Sequence, residues 1–278
     1  MPNLEGATED ARHASRKETF EKFHLAGIGR SRKISDSLLA KKCSEREFNN
    51  QMFAWKTLNG EKVRVARPLQ YFKNPTEEGS GLMVMEFLNG ESWDVNFDPS
   101  INTKVHEAVR HMHSATPWTT EQQVYPGPLD RGRAESFPWG RGQKEAENTF
   151  RNIQDVLACA DKRLVAYAKR GRNKKRTLDL EDQKLAICHG DLNPRNILIL
   201  TDGQVALLDW EWMCMYPVVF DLACLSMLQL EDPHEKQAWL IEVLTSDVCL
   251  ELEKTREEVE DVLLSLRIVD RASLRWCF

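Results

Sequence analysis

The sequence predicts an α+β protein with a small, β-rich N-terminal part and a larger, mostly helical C-terminal part. Up to about residue 88, short apolar runs bounded by turn residues flank one amphipathic helix, which is the order strands, helix, strands. Beyond residue 88, apolar residues recur mainly at helical spacing. The length of 278 residues fits one large domain or two packed lobes, given about 150 residues per domain.

The N-terminal part is expected to begin with an arm and a small sheet. Residues 1–18 are polar and without pattern, which predicts a loose arm. In residues 19–88, the apolar runs and turn residues of 23–42 predict a three-stranded meander whose first turn contains Gly27 and Gly29.

A helix and two more strands complete the N-terminal part. Ser44 is a favourable N-cap, and Glu45 and Glu47 in the first turn complement the exposed N–H groups. The helix is expected to end near residues 59–60. The strands are expected over residues 63–68 and 82–88.

The C-terminal part, residues 89–278, is expected to consist mainly of helices. Apolar periodicity marks helices near residues 105–116, 150–167, 220–230 and 250–266. Residues 117–143 are rich in Pro, Gly and Trp and are expected to form a long irregular connection. The basic run at 169–176 is most simply a solvated loop; a nuclear-localisation signal or an anion-binding edge are the alternatives.

Composition excludes several classes of protein. Apolar residues make up 41% and charged residues 29%, which is typical of a soluble globular protein. The net charge of −5 argues against a nucleic-acid partner, and no apolar run approaches the roughly 18 residues of a membrane span. The first residues are polar rather than signal-like, which favours a cytoplasmic protein. The 7 cysteines never occur as C-x-x-C, which argues against zinc sites and disulfides.

The most informative segment lies between Cys188 and Glu211. A polar loop from Asp191 to Asn196 leads into an apolar run, a turn, a second apolar run and then Asp209. This order predicts a short hairpin whose two ends carry oxygen ligands. Mg²⁺ prefers one or two carboxylates together with phosphate oxygens and water, so the segment predicts a site for a metal-bound nucleotide.

The same residues carry a family resemblance. His189-Gly190-Asp191-Leu192 with Asn196, then Asp209-Trp210-Glu211, then Phe220-Asp221-Leu222-Ala223, resemble the aminoglycoside phosphotransferase and choline kinase family. The resemblance is tight over residues 186–226 and looser over residues 40–140. It implies a protein-kinase-like bilobal fold, ATP or GTP and Mg²⁺ as cofactors, and transfer of the γ-phosphate to a hydroxyl of a small polar metabolite.

Departures from the protein-kinase signature point to small-molecule acceptors. Gly190 replaces the Arg of His-Arg-Asp, Trp210-Glu211 replaces Phe-Gly, and no Ala-Pro-Glu segment follows Asp209. A protein acceptor is therefore the less favoured alternative. A nucleotide-binding pseudokinase with a regulatory role is the other alternative.

The resemblance also implies roles for individual residues. Asp191 would orient the acceptor hydroxyl and take its proton, and Asn196 and Asp209 would bind Mg²⁺. Three residues would support the catalytic loop. His189 would hold it by hydrogen bonds, Gly190 would allow a close approach or a positive φ, and Asp221 would brace it or simply cap a helix.

A lysine and a glutamate would complete the nucleotide site. Lys41 or Lys42 resembles the strand lysine that neutralises phosphates, and Glu47 the carboxylate that holds it. Neighbouring side chains of a strand point to opposite faces, so only one lysine can face the site. The pattern favours Lys42 slightly, with two solvated lysines as the alternative.

Residues for the rest of the nucleotide and for the acceptor follow from the same resemblance. Gly27 and Gly29 would belong to a phosphate loop, and the backbone of Met85, Glu86 and Phe87 would bind adenine. Acidic residues could meet a cationic acceptor, and tryptophans could cage a choline-like one, although packing is the simpler role of the tryptophans. The candidates are Glu91, Asp94 and Asp98, and Trp93, Trp118, Trp139 and Trp212.

Overall fold

A computed structural model describes most of the chain as two compact units. The described residues are 30–74, 77–93, 98–115, 125–134, 137–139, 149–169, 176–181 and 183–275. The first unit comprises residues 1–92 and 198–211, and the second comprises residues 93–197 and 212–278. The predicted arm, the first strand of the meander, Gly27 and Gly29 lie outside the described residues.

The described elements confirm the α+β class. The strands are β1 (Ser31–Lys33), β2 (Leu38–Ser44), β3 (Pro68–Lys73), β4 (Ser80–Glu86), β5 (Gly90–Ser92), β6 (Gly127–Pro128), β7 (Ala186–Cys188), β8 (Ile197–Leu200), β9 (Val205–Leu207) and β10 (Cys214–Tyr216). The helices are α1 (Glu45–Leu58), α2 (Pro99–Ser114), α3 (Ile153–Lys169), α4 (Val219–Glu231), α5 (Glu235–Glu251) and α6 (Arg256–Arg275), with short 3₁₀ turns at Pro194–Asn196 and Trp210–Trp212.

The first unit is built on an antiparallel sheet of order β1-β2-β4-β3. One face carries a buried cluster that includes Leu38 and Ala40 of β2. The opposite face carries a second cluster, against which Leu39 of β2 and Phe48 of α1 pack. Helix α1 begins where expected, because Ser44 Oγ accepts a hydrogen bond from the Glu47 N–H at 3.0 Å. Helix α1 therefore belongs to the face of the sheet that includes Leu39.

The assignment of residues 198–211 differs from the expected division at residue 88. Strand β5 pairs with β8 in an antiparallel ladder, and β8 lies beside β9 in the sheet β5-β8-β9. Arg64 forms a parallel bridge to Ala206. These hydrogen-bonded contacts attach the hairpin that leads to Asp209 to the first unit, although it follows the loop Asp191–Asn196 in sequence.

One predicted strand is wrong. Over residues 63–68 only Arg64 forms a bridge, and the strand of this region is β3, which begins at Pro68. Val63 and Val65 are fully buried. The alternation that suggested a strand therefore reflects mainly the burial of Val63 and Val65, and pairing is limited to the bridge between Arg64 and Ala206.

The second unit combines helices with a small sheet of order β6-β10-β7. In this sheet Cys188 of β7 lies opposite Cys214 of β10. Because β7 ends at Cys188, His189 is the first residue after the strand. Trp139 Nε1 donates a hydrogen bond to Tyr216 Oη at 2.8 Å, and Tyr216 stacks on Phe220 of α4 with ring centroids 4.6 Å apart. This aromatic core holds the sheet that precedes the loop Asp191–Asn196 against helix α4.

The helices of the second unit follow the prediction with one omission. Helices α2, α3, α4 and α6 overlap the four predicted helices, whereas α5 (Glu235–Glu251) was not predicted. Within the part of the chain that the structure describes, no helix combines the length and the apolar character that crossing a membrane requires.

Candidate active site

A buried ion-pair cluster joins β2, α1 and Asp209, the second residue after β9, in the first unit. Lys41 Nζ lies 2.5 Å from Glu47 Oε1 and 2.9 Å from Asp209 Oδ1. Lys41 and Glu47 are both buried. Burial alone would lower the pKa of Lys41, but the charges of Glu47 and Asp209 raise it above its ordinary value. The cluster therefore holds a protonated ammonium group between two carboxylates.

The structure places Lys41, and not the slightly preferred Lys42, in the ion-pair cluster. Lys42 is exposed, whereas Lys41 is buried and paired. Lys41 shares a face of β2 with Leu39 and Cys43, and α1 packs against that face. Glu47 lies in the first turn of α1 and meets the lysine on this face. The side on which the helix packs, and not the strand pattern alone, selects the lysine.

Asp209 has a backbone conformation that is rare for a residue with a side chain. Its φ is 64°, in the left-handed region, where a non-glycine residue costs about 1–3 kcal/mol. The segment after it is held by the buried Asn50 of α1, whose Nδ2 donates to the carbonyl oxygens of Trp210 at 3.0 Å and Glu211 at 3.2 Å. Helix α1 thus supports the metal-ligand candidate both through Glu47 and through Asn50.

Two residues beside the ion-pair cluster of the first unit were missed by sequence reasoning. Asn50 holds the backbone after Asp209, and Arg30 forms an ion pair with Glu211. Both contacts join residues more than 150 positions apart in the chain. Local spacing carries no signal for such a pair; only the one-turn distance from Glu47 to Asn50 on α1 hints that they share a face.

The predicted adenine-binding residues lie at the end of β4 in the first unit. The Glu86 N–H donates to the Arg67 carbonyl at 2.9 Å, and the Phe87 N–H donates to the Ser37 carbonyl at 2.8 Å. Met85 is buried and packs in the cluster on the α1 face. The N–H groups of Glu86 and Phe87 are thus already bonded within the unit, so a base at this edge would depend on carbonyl oxygens or on later residues.

In the loop Asp191–Asn196 of the second unit, two side-chain amides orient the Asp191 carboxylate. Asn193 Nδ2 donates to Asp191 Oδ1 at 3.1 Å, and Asn196 Nδ2 donates to Asp191 Oδ2 at 3.0 Å. Asn196 Nδ2 also donates to the Asp191 carbonyl at 2.8 Å. Asn193, which the sequence did not suggest as a site residue, also caps the 3₁₀ turn that carries Asn196, because its Oδ1 accepts from the Arg195 N–H.

The two metal-ligand candidates have the donor atoms that Mg²⁺ prefers. Because the amide nitrogen of Asn196 faces Asp191, its Oδ1 is the atom left to bind a cation. Asp209 contributes a carboxylate, and hard oxygen donors of this kind suit Mg²⁺. Among the described residues, no three His, Cys, Asp or Glu side chains are grouped as a metal site.

Gly190 is required by the geometry of the loop. Its φ is +75°, and a Cβ atom there would lie 2.5 Å from the Trp212 carbonyl oxygen. Its own carbonyl accepts a hydrogen bond from Cys224 Sγ of α4 at 3.0 Å. Both a positive φ and a close backbone approach therefore occur at this residue, which only glycine accommodates without strain.

Asp221 contacts the loop rather than capping its own helix. It is buried, and its carboxylate accepts from the backbone N–H groups of His189 at 3.1 Å and Gly190 at 2.9 Å. His113 Nε2 of α2 lies 3.0 Å from Asp221 Oδ2. The N-cap position of α4 is Val218, which makes no side-chain cap. Burial alone would raise the pKa of Asp221, but the hydrogen bond and charge of His113, with the His189 charge and the Gly190 N–H, lower it.

His189 is held inside the second unit. It is fully buried, and its Nδ1 accepts a hydrogen bond from the Asp191 N–H at 3.3 Å. Its backbone N–H is bound by Asp221. These contacts are those of a residue that shapes the loop.

The acceptor candidates fall into different environments. Trp93 and Trp139 are buried, and Trp93 Nε1 donates to Asn102 Oδ1 at 3.1 Å, so both serve packing. Asp98 caps α2, because its carboxylate accepts from the Ser100 N–H at 2.7 Å. Glu91 is an exposed residue of β5, and Trp212 is half-buried in the second unit. Asp94 and Trp118 lie outside the described residues.

A sequence model of one protein family matches most of the chain. The family is described as the phosphotransferase enzyme family (APH), and the match covers residues 44–246. This range includes Glu47, the loop Asp191–Asn196, Asp209 and Asp221. No curated protein sequence matches the chain significantly.

Solved structures with the same fold are aminoglycoside phosphotransferases. A thermostable mutant of aminoglycoside phosphotransferase APH(4)-Ia, in its apo form, has 12% identity and a TM-score of 0.50, with 94% of this chain and 98% of that chain covered. A thermostable mutant of the same enzyme in a ternary complex with AMP-PNP and hygromycin B has 13% identity, a TM-score of 0.50 and the same coverage of 94% and 98%. At this identity the similarity shows the fold alone, and the expected protein-kinase-like fold is confirmed.

Proposed function

The chain belongs to the phosphotransferase enzyme family, and we propose that it transfers the γ-phosphate of ATP or GTP to a hydroxyl of a small polar metabolite. The observation that supports this function best is the buried cluster of Lys41, Glu47 and Asp209. The cluster has a cost in folding free energy, because it buries a charged lysine and because the backbone of Asp209 has a left-handed conformation. Such strain concentrates at functional sites.

In this proposal the first unit binds the phosphates. Lys41 neutralises their charge, and Glu47 keeps the ammonium group in position. Asp209 of the first unit and Asn196 of the second unit are each proposed as Mg²⁺ ligands, and the metal would supply positive charge to the phosphates. Asn50 keeps the backbone after Asp209 in the conformation that presents the carboxylate.

The second unit provides the base in this proposal. Asp191 accepts the proton of the acceptor hydroxyl, and Asn193 and Asn196 hold one carboxylate oxygen each. Asp221 positions the loop by binding two successive N–H groups at its start. Phosphoryl transfer depends mostly on positioning and charge, so these supports matter as much as the base itself.

The acceptor is proposed only as a hydroxyl of a small polar metabolite, and two of the four tryptophans considered for a choline-like cation are buried. A cage for a quaternary ammonium needs exposed aromatic faces. Trp93 and Trp139, two of the four candidates for such a cage, are buried in packing contacts. The solved complex with hygromycin B concerns a distant relative and does not identify the acceptor of this chain.

The proposed function is tested by binding and by transfer with two variants. Calorimetry should detect Mg·ATP or Mg·GTP binding to the wild type and much weaker binding to Asp209→Ala. With labelled nucleotide and a panel of hydroxyl metabolites, Asp191→Asn should lower transfer by about 10²–10⁴-fold, the usual contribution of a general base. Equal nucleotide binding and turnover by the wild type and Asp209→Ala would refute the proposal, whereas binding without transfer to any acceptor would favour a pseudokinase.

A further inference from the structure

Arg30 lies beside the proposed phosphate site and has no role in the function described so far. It is the residue before β1, and its carbonyl oxygen accepts a hydrogen bond from the Lys42 N–H at 2.9 Å. Its guanidinium forms an ion pair with Glu211 through Nη2 and Oε2. The backbone of Arg30 is therefore fixed to the sheet, while its side chain reaches the segment that follows Asp209.

The charges around Arg30 are those of the nucleotide site. Burial alone would lower the pKa of Arg30, but Asp209, Glu211 and Glu47 raise it, so all three carboxylates act on its charge. Together with Lys41, the cluster contains two cations and three carboxylates. The excess of carboxylates disfavours a polyphosphate, and a cation that turns toward it reduces this repulsion, in addition to the charge that bound Mg²⁺ would supply.

Of the two cations, Arg30 is the one that can turn. Lys41 is buried and bonded to two carboxylates, with a side chain only 9% exposed. The side chain of Arg30 is 59% exposed, and Glu211 is the carboxylate with which it pairs. Exposed ion pairs contribute little to stability, so exchanging this partner for another anion costs little. A guanidinium also matches phosphate oxygens with two parallel hydrogen bonds, which an ammonium group cannot do.

We propose that Arg30 is a phosphate-binding residue of the nucleotide site, whose guanidinium pairs with Glu211 in the free protein and exchanges this carboxylate for phosphate oxygens when the nucleotide binds. This inference rests on the proposed function, because it assigns a further residue to the same nucleotide site. It makes Glu211 a counter-ion that holds the arginine in place before the nucleotide arrives. The competing explanation is that the ion pair between Arg30 and Glu211 only orders the Trp210–Trp212 turn.

The experiment measures the affinity for a nucleotide and for its nucleoside separately. With Mg²⁺ present, Arg30→Ala should weaken binding of ATP (or GTP, whichever the wild type binds) about tenfold or more, the effect of losing hydrogen bonds to a charged group. Binding of adenosine or guanosine should be unchanged. Arg30→Lys keeps the charge but not the paired hydrogen bonds, so its affinity for the nucleotide should lie between those of the wild type and Arg30→Ala.

Lys56→Ala is the matched control. Lys56 is an exposed residue near the end of α1, and its removal changes the net charge as Arg30→Ala does. It lies nine residues after Glu47 on the same helix, which is about 13 Å along the axis. Its nucleotide affinity should equal that of the wild type, so a general charge effect would be recognised.

A second background separates exchange from a purely structural pair. In Glu211→Gln the ion pair is absent, and by the exchange mechanism Arg30→Ala should still weaken nucleotide binding in that background. If Arg30 acts only by ordering Glu211, adding Arg30→Ala to Glu211→Gln should change nothing further. Thermal melting of the free variants shows that each remains folded.

The outcomes distinguish the inference from the function beneath it. A wild type that binds no nucleotide removes the proposed function and the inference together. A wild type that binds nucleotide, with Arg30→Ala unchanged or with equal losses for nucleotide and nucleoside, overturns the role of Arg30 and leaves the proposed function standing.

Discussion

At the scale of single residues, the charge of Lys41 is the property on which the proposed site depends most. Lys41→Met should lower transfer by about 10²-fold or more, because a positive charge aimed at developing negative charge is lost. Lys42→Met removes the same charge from the next, exposed residue of β2 and should leave transfer unchanged. Steady-state assays of both variants make the comparison. Equal losses in the two would contradict the assignment of Lys41.

Asp221 should make stability depend on pH. Its pKa in the folded protein is lowered, so its contribution is present above the unfolded pKa of about 3.9 and is lost as the pH falls through the folded value. At pH 7, Asp221→Asn should cost about 3 kcal/mol, because a buried charged network loses one member. The difference from the wild type should shrink in strong acid, as Asp221 of the wild type becomes protonated.

Urea unfolding at several pH values measures this effect. Asp202→Asn is a suitable control, because Asp202 is an exposed turn residue. A gap between wild type and Asp221→Asn that stays constant from neutral to strongly acidic pH would show that the carboxylate charge is not what holds the loop.

At the scale of elements, α1 supports the proposed phosphate site through one face. Glu47 pairs with Lys41 from this face, and Asn50, one turn later, binds the backbone after Asp209. The helix therefore connects the strand that carries the lysine with the segment that carries the metal-ligand candidate. Any shift of α1 changes both contacts.

Asn50→Ala tests this support directly. The substitution leaves two carbonyl oxygens without their donor and should cost about 1–3 kcal/mol of stability. Transfer should fall as well, because the backbone around Asp209 is released from its strained conformation. Asn49→Ala changes the same residue type at an exposed neighbouring position and should have little effect. Hydrogen exchange of residues 209–212 reports the loosening, and unchanged exchange in Asn50→Ala would exclude this role.

Helix α5 shows why one element escaped prediction. Its buried face includes the polar residues Gln237 and Thr245 beside Leu240 and Leu244. Gln237 is satisfied by a hydrogen bond to the Leu225 carbonyl of α4 at 2.9 Å. Polar residues on the buried face interrupt the apolar periodicity from which a helix is predicted. Their burial is explained only by contacts with α4, which the sequence does not show.

At the scale of the whole molecule, the chain does not pass once from one unit to the other. It leaves the first unit after Ser92, returns for residues 198–211 and leaves again. The loop Asp191–Asn196 and the segment carrying Asp209 are neighbours in sequence but are assigned to different units. A boundary drawn from composition at residue 88 could not show this return, because β5 and β8 pair across more than 100 residues.

The fold class and the main motif were predictable from the sequence because their signals are local. The main motif lies within one short segment, in which the loop Asp191–Asn196 is followed by two apolar runs and Asp209. The N-cap and first turn of α1 are likewise adjacent in sequence. The family match covers these residues and confirms the class of protein they indicated. Local hydrogen bonds and periodicity need no knowledge of distant partners.

Tertiary structure alone decided which side chains meet. Lys41 rather than Lys42 enters the ion-pair cluster because α1 packs on one face of β2, and a strand pattern is symmetric with respect to its two faces. Asp221 braces the loop, and Arg30 reaches Glu211, only because distant segments are brought together. The sequence by itself determined which chemical groups are present and in which local order; packing determined which of them are neighbours, because burial of apolar faces sets the position of each element.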